Sequence, residues 1–312
     1  MLDTLAIIGP LFIAIATGFA AVALGAFSKA DIRVLGRFVI HFALPALLFK
    51  ALSDRAFDEI IHLDYLGAYA LGSLAVLALC TSGAYFLQGV SRTSAGMIAM
   101  GAALSNSGFI GFPVVTQFLG DGAAIALALS MLVENLLVLP IALLIAEPAG
   151  GDGRGRARAL WGTLSSLLKN PLILAILAGF TCSLLRLEMP APVGRAIGMF
   201  SAASGVVALF VIGGTLVGLR PAGDLPRIAW VCAGKLVLHP LAVALAFLVF
   251  TPADPVLRAA GIVAASVPMF SVFPIVAQRY GEQAWCASAL LVATVASFAT
   301  MSIAMWLVGS PV

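Results

Sequence analysis

The sequence predicts an all-α integral membrane protein of ten transmembrane helices, arranged as two inverted five-helix repeats with broken, crossing helices 4 and 9. Three observations predict it: a near absence of charge, apolar runs of membrane-spanning length, and a stretch in the first half that returns 161 residues later. Hydrophobic residues make up 62% of the 312 and charged residues 10%, with a mean hydropathy of +1.11. Soluble domains carry roughly 25% charged residues. The formal charge of +3 is small, so the placement of the basic residues carries more information than their sum.

About 20 helical residues cross the hydrocarbon core of a bilayer. Apolar runs read against their polar breaks give spans over residues 4–26, 31–53, 63–88, 93–119 and 122–146, then 169–187, 195–219, 228–250, 256–279 and 283–308. The first run has no basic residue ahead of it and outlasts a signal peptide, so it reads as a span. No segment shows the ten-residue alternation of a membrane barrel. Lys and Arg collect on cytoplasmic loops and span ends. Placing both termini outside puts Lys29, Arg33, Arg37, Arg92, Arg154, Arg156, Arg158, Lys169, Arg220, Arg227 and Arg279 on the cytoplasmic side. Arg55, Arg186, Arg195 and Arg258 then lie opposite, which favours this orientation in a cytoplasmic membrane.

The longest break, residues 147–168, contains Gly-Gly-Asp-Gly-Arg-Gly-Arg-Ala-Arg and reads as a flexible cytoplasmic linker, not as a nucleic-acid patch. It separates a first repeat, 1–146, from a second, 169–312. At an offset of 161, Pro10–Leu24 matches Pro171–Leu185 at seven of fifteen positions. Residues 105–120 match 266–281 at seven of sixteen, including Phe112/Phe273, Pro113/Pro274, Gln117/Gln278 and Gly120/Gly281. Five spans is an odd number, so the second copy enters the membrane from the opposite side and the repeat is inverted.

Within the fourth span, Ser105-Asn-Ser-Gly-Phe-Ile-Gly-Phe-Pro113 cannot be a quiet helix, and Ser266-Val-Pro-Met-Phe-Ser-Val-Phe-Pro274 is its counterpart. Gly111, Pro113, Pro268 and Pro274 weaken or remove backbone bonds where lipid offers no substitute, so the breaks face protein or water. Pro suits a first helical turn, so Pro113 and Pro274 are expected to start fresh half-helices whose free N–H groups favour an anion. Ser105, Asn106, Ser107, Gly108, Ser266 and Ser271 supply neutral donors or close backbone approach there.

Ionisable groups at membrane depth are functional candidates by default. Lys235 is a candidate for neutralising a substrate anion or pairing with Glu134. Glu134, beside Asn135, is a candidate proton or ion carrier. Lys50 lies near a span end and is expected to reach the interface. His41 and His239 read as hydrogen-bonded core residues. Cys80, Cys182, Cys232 and Cys286 stand singly in apolar runs and read as small buried hydrophobes, with no metal-ligand spacing. There is no HExxH, GxSxG or Walker pattern, so zinc hydrolysis, serine hydrolysis of that type and P-loop nucleotide use lack support. Leu119-Gly120-Asp121 only loosely matches an intramembrane aspartyl protease. No enzyme, cofactor or metal is expected.

In order along the chain, Phe42-Ala-Leu-Pro-Ala-Leu-Leu-Phe49, Asn106-Ser-Gly-Phe-Ile-Gly-Phe-Pro113, Lys169-Asn-Pro-Leu-Ile-Leu174, and Lys235 with Pro240 resemble the auxin efflux carrier family in its bacterial branch. That resemblance covers essentially the whole chain. It implies a scaffold of helices 1, 2, 6 and 7, a transport domain of helices 3–5 and 8–10, homodimers through the scaffold, and elevator-type alternating access. In the plant carriers of that family an asparagine occupies each crossing. Asn106 supplies the first, while Val267 stands at the second, which weakens the case for auxin and leaves small carboxylates such as malonate or malate. The expected function is secondary transport of a small organic anion, with H+ or Na+ as coupling ion. A gated anion channel and a sodium-coupled carrier of another organic anion are the alternatives.

Overall fold

The computed structural model describes residues 2–120, 123–147, 162, 165, 168–218, 224–252 and 254–309. Asp121 and nearly all of the 147–168 linker lie outside the described residues. The architecture is all-helical, and among the described residues there is no strand, only an isolated antiparallel bridge between Ser105 and Met269.

The helices are α1 Leu2–Ala23, α2 Lys29–Ser53, α3 Leu63–Gln88, α4 Arg92–Ala103, α5 Ser107–Leu119 and α6 Ala124–Ala146. They continue as α7 Pro171–Leu184, α8 Ala191–Leu216, α9 Leu225–Val249, α10 Pro255–Ser266, α11 Phe273–Gln278 and α12 Gln283–Val308. Six of them, α2, α3, α6, α8, α9 and α12, are long and apolar enough to cross a membrane. Large apolar side chains such as Leu24, Phe86, Leu248 and Leu307 lie exposed on the outside.

Short polar side chains set the helix starts. Ser28 and Asp31 form a reciprocal capping box on α2, while Ser91, Asn170, Asp224 and Asp254 each accept a first-turn N–H. Inside the long helices, proline leaves a different mark. A wide π turn precedes Pro45 in α2 (Val39–Ala43), Pro113 in α5 (Ser107–Gly111), Pro140 in α6 (Glu134–Val138) and Pro240 in α9 (Gly234–Leu238). The proline ring would clash with the carbonyl four residues back, and a wider turn makes room without ending the helix. Two of these turns carry Glu134 and Lys235.

Glycines let the helices approach closely. A Cβ on Gly18 would stand 2.0 Å from Phe210 O, and one on Gly213 1.8 Å from Ile15 O, so α1 and α8 meet backbone to backbone. Every residue of α4 from Ser94 to Ala103 is buried, which makes α4 the central strut against which α3, α6 and α9 pack.

Three expectations are corrected. Helix α5 begins at Ser107, not at Pro113, because the Asn106 carbonyl already accepts from Ile110 and Gly111 at 3.1 and 2.9 Å. Gly111 and Pro113 therefore lie inside a helix, past the break. His41 is exposed and its Nδ1 engages its own helix at Arg37 O, 2.9 Å away, so it is no core residue. Cys182 is half-buried, whereas Cys80, Cys232 and Cys286 are buried; all four are free thiols.

Candidate functional site

The chain leaves helical geometry at residues 104–106 between α4 and α5, and again at 267–272 between α10 and α11. The two breaks touch. Asn106 N–H donates to Pro268 C=O at 2.8 Å beside the Ser105–Met269 bridge, and Asn106 Nδ2 donates to Ser271 Oγ at 2.7 Å. Extended backbone released from one helix thus satisfies the other, as an apolar surrounding demands. Because Asn106 C=O is the first acceptor of α5, the N–H groups of Ser107, Gly108 and Phe109 have no carbonyl within the helix to bond. They lie beside the Asn106–Ser271 pair and carry the positive end of the helix dipole. Leu44 of α2 closes over this point; a Cβ on Gly108 would stand 2.9 Å from Leu44 Cδ1.

Behind the breaks lies a second layer, which is charged. Lys235 is fully buried, and its three N–H donors are all engaged: Ser105 Oγ at 2.7 Å, His239 Nδ1 at 2.7 Å and Ala265 O at 2.8 Å. An Nδ1 that accepts from Lys235 leaves the His239 proton on Nε2, which donates to Ser73 Oγ at 2.9 Å. Glu134, 3% exposed, accepts from Tyr69 Oη at 2.8 Å, Ser107 Oγ at 2.9 Å and Ser105 N–H at 3.3 Å. Tyr69 Oη in turn lies 3.4 Å from Ser105 Oγ. Lys235 and Glu134 are therefore joined through Ser105 and Tyr69.

The sequence-derived candidates separate on this geometry. Ser105, Asn106, Ser107, Gly108, Ser271, Lys235 and Glu134 come together at the breaks. Ser266 instead returns its hydroxyl to Val263 O at 2.7 Å, and Asn135 returns its amide to Met131 O at 2.8 Å. Pro268 takes part through its carbonyl, and Pro274 sits in the first turn of α11. Val267 is buried without contributing a side-chain polar group. Tyr69 and Ser73 were missed by sequence reasoning. Their signal was legible: Tyr65, Tyr69 and Ser73 recur every four residues on one face of α3. Among the described residues there is no cluster of His, Cys, Asp and Glu able to hold a metal ion.

Comparison with known proteins identifies what this arrangement belongs to. Residues 5–154 and 157–307 match the family described as "Membrane transport protein". The chain is 31% identical over 278 residues to a "Putative malonate transporter" of Rhizobium meliloti (strain 1021), covering 88% of this chain and 87% of that protein. It is 26% identical over 295 residues to the "Uncharacterized transporter YfdV" of Escherichia coli (strain K12), covering 93% and 92%. An "Uncharacterized transporter" of Methanothermobacter thermautotrophicus is 28% identical over 167 residues, covering 49% of this chain and 53% of that one.

Proposed function

We propose, on the premise that the chain belongs to the membrane transport protein family, the auxin efflux carrier family, that it is a secondary transporter of a small dicarboxylate such as malonate. The observation that carries this reading is the junction of the two breaks, where the Asn106 amide, the Ser271 hydroxyl and the first N–H groups of α5 converge. These are neutral donors, able to hold a carboxylate and release it again without a fixed counter-charge. The name of the Rhizobium meliloti relative favours malonate among small carboxylates.

In this reading the chain crosses the cytoplasmic membrane ten times as two inverted repeats, with both termini outside. One pair of residues at the 161 offset supports the repeat beyond its identity: Gly120 and Gly281 both have positive φ, +79° and +73°. The breaks then move together in a transport domain of α3–α6 and α9–α12, against a scaffold of α1, α2, α7 and α8 that also forms a homodimer. Lys235 acts as a positioning residue, since its donors are spent on Ser105, His239 and Ala265. Glu134 is the group that couples transport to a proton, because it lies one hydrogen bond from Ser105 and Ser107 at the site.

Purified protein reconstituted in liposomes tests the reading. Labelled malonate uptake is expected to saturate, to show counterflow when the liposomes are preloaded with malonate, and to respond to an imposed pH gradient. Flux that fails to saturate and shows no counterflow identifies a channel instead.

A further inference from the structure

Three adjoining cavities, of 540, 610 and 420 Å³, share one lining residue of positive charge, Lys50 near the end of α2. The 610 Å³ cavity lies between α1, α2, α5 and α8 and is bordered by Phe112, Pro113, Thr116 and Gln117 of α5 and by Ser201 of α8. Among the described residues, Lys50 is the single ionisable side chain on its wall. The acids that line the other two cavities, Asp54, Glu59 and Glu188, do not border it. Asp54 is 4.0 Å from Lys50 Nζ, and both side chains are about half-exposed or more, at 49% and 61%, so this pairing is weak and exchangeable.

The cavity runs along α5, the helix whose first residues form the proposed carboxylate site. Phe112 lies six positions after Asn106, or about 9 Å along a helix. Gln117 is exposed and lines the same space, and Ser201 lines both this cavity and the 420 Å³ one. A cation, an amide and a hydroxyl on the wall of an otherwise largely apolar cavity beside α5 suit a carboxylate in transit.

We infer that Lys50, with Gln117 and Ser201, forms a second carboxylate site, a waypoint in which the incoming dicarboxylate displaces Asp54 from Lys50 before it reaches the α5 N-terminus. This rests on the proposed function and adds a residue that governs substrate capture. Lys50 is well placed for it on physical grounds. A cationic side chain at the wall of a low-dielectric cavity raises the local concentration of the counter-ion that the protein carries.

The test uses the full chain in liposomes and malonate as probe. Lys50→Gln is expected to raise the KM for malonate about tenfold, the size of a lost charged hydrogen bond, with kcat within about twofold. It is also expected to flatten the dependence of KM on ionic strength, and Lys50→Arg is expected to restore both. In detergent, Ser201→Cys in a Cys182→Ser background is expected to react with a polar maleimide and to be protected by malonate. That protection is expected to vanish when Lys50→Gln is added. Wild-type uptake together with an unchanged KM in Lys50→Gln, or a fall in kcat alone, overturns the waypoint and leaves the functional reading standing. Wild-type protein that neither binds nor moves malonate overturns the functional reading itself, and the waypoint with it.

Discussion

Lys235 Nζ stands 2.7 Å from Ser105 Oγ, so a buried ammonium of α9 holds the residue at which the chain leaves α4. The same ammonium holds Ala265 O, two residues before the second break. One side chain thus ties both breaks to a third helix, and the acid that balances its charge, Glu134, reaches the same serine through its backbone N–H.

Removing that tie is expected to weaken the whole protein. Lys235→Met leaves Glu134 buried without its balancing charge and Ser105, His239 and Ala265 short of a donor, at a cost of about 3 kcal/mol. The thermal unfolding midpoint in detergent is expected to fall by several degrees. Adding Glu134→Gln removes the unbalanced acid while keeping its shape, so the double variant is expected to recover part of the loss. Equal midpoints for wild type and Lys235→Met would sink the idea that Lys235 organises the breaks.

At the junction itself, Asn106→Ala removes the amide that reaches Ser271. A neutral hydrogen bond contributes about 1 kcal/mol, so the affinity for malonate is expected to fall roughly fivefold, with the thermal midpoint of the ligand-free protein changed little. Asn106→Asp keeps the shape and puts a negative charge where a carboxylate is to bind. Malonate-induced thermal stabilisation is expected to disappear in that variant. Stabilisation that persists in Asn106→Asp would move the site elsewhere.

Helix contact gives a prediction of opposite sign at two glycines of α8. A Cβ on Gly213 has backbone atoms of α1 on top of it, and neither backbone can yield without parting the helices. Gly213→Ala is expected to destabilise by about 3 kcal/mol, at the upper end of overpacking costs. Gly198 has nothing within 4 Å of its Cβ position. Gly198→Ala is expected to be neutral or to stabilise by about 0.5 kcal/mol, because it removes backbone freedom from the unfolded chain. Side-by-side unfolding curves decide both.

Much of this was legible in the sequence because membranes impose simple rules. Apolar runs of span length without the alternation of a barrel leave an all-helical solution, and polar or glycine-rich residues inside those runs locate the two breaks. The partners across the breaks were less legible. Nothing in one sequence says that Ser271 meets Asn106 while Ser266 turns back to its own helix, since a serine hydroxyl satisfies itself on a carbonyl three or four residues away just as well. The start of α5 was misplaced for a related reason. Proline marks a permitted first turn, but it also tolerates a wide turn, and here the helix runs through Pro113 from Ser107. The role of Lys50 depends on a cavity between α1, α2, α5 and α8, which no local pattern reveals.

The wide turn before Pro240 gives the sharpest mechanical prediction. In a regular helix the Pro240 ring would press on the carbonyl of Leu236, and the π turn Gly234–Leu238 relieves that contact. Lys235 lies within this turn, so the turn sets the direction in which its ammonium points. Pro240→Ala supplies an N–H and removes the ring, which lets the segment tighten to an ordinary α-helix. One residue withdrawn from a turn rotates what precedes it by about 100° and shifts it by about 1.5 Å. Lys235 would then leave Ser105, His239 and Ala265. Malonate uptake by Pro240→Ala is therefore expected to be lost, with a fall in thermal midpoint close to that of Lys235→Met. Pro45→Ala, which relaxes the equivalent turn in α2 with no charged residue of the network on it, is expected to retain uptake. Full activity in Pro240→Ala would mean that packing against α3, α4 and α10, and not the proline, holds the lysine in place.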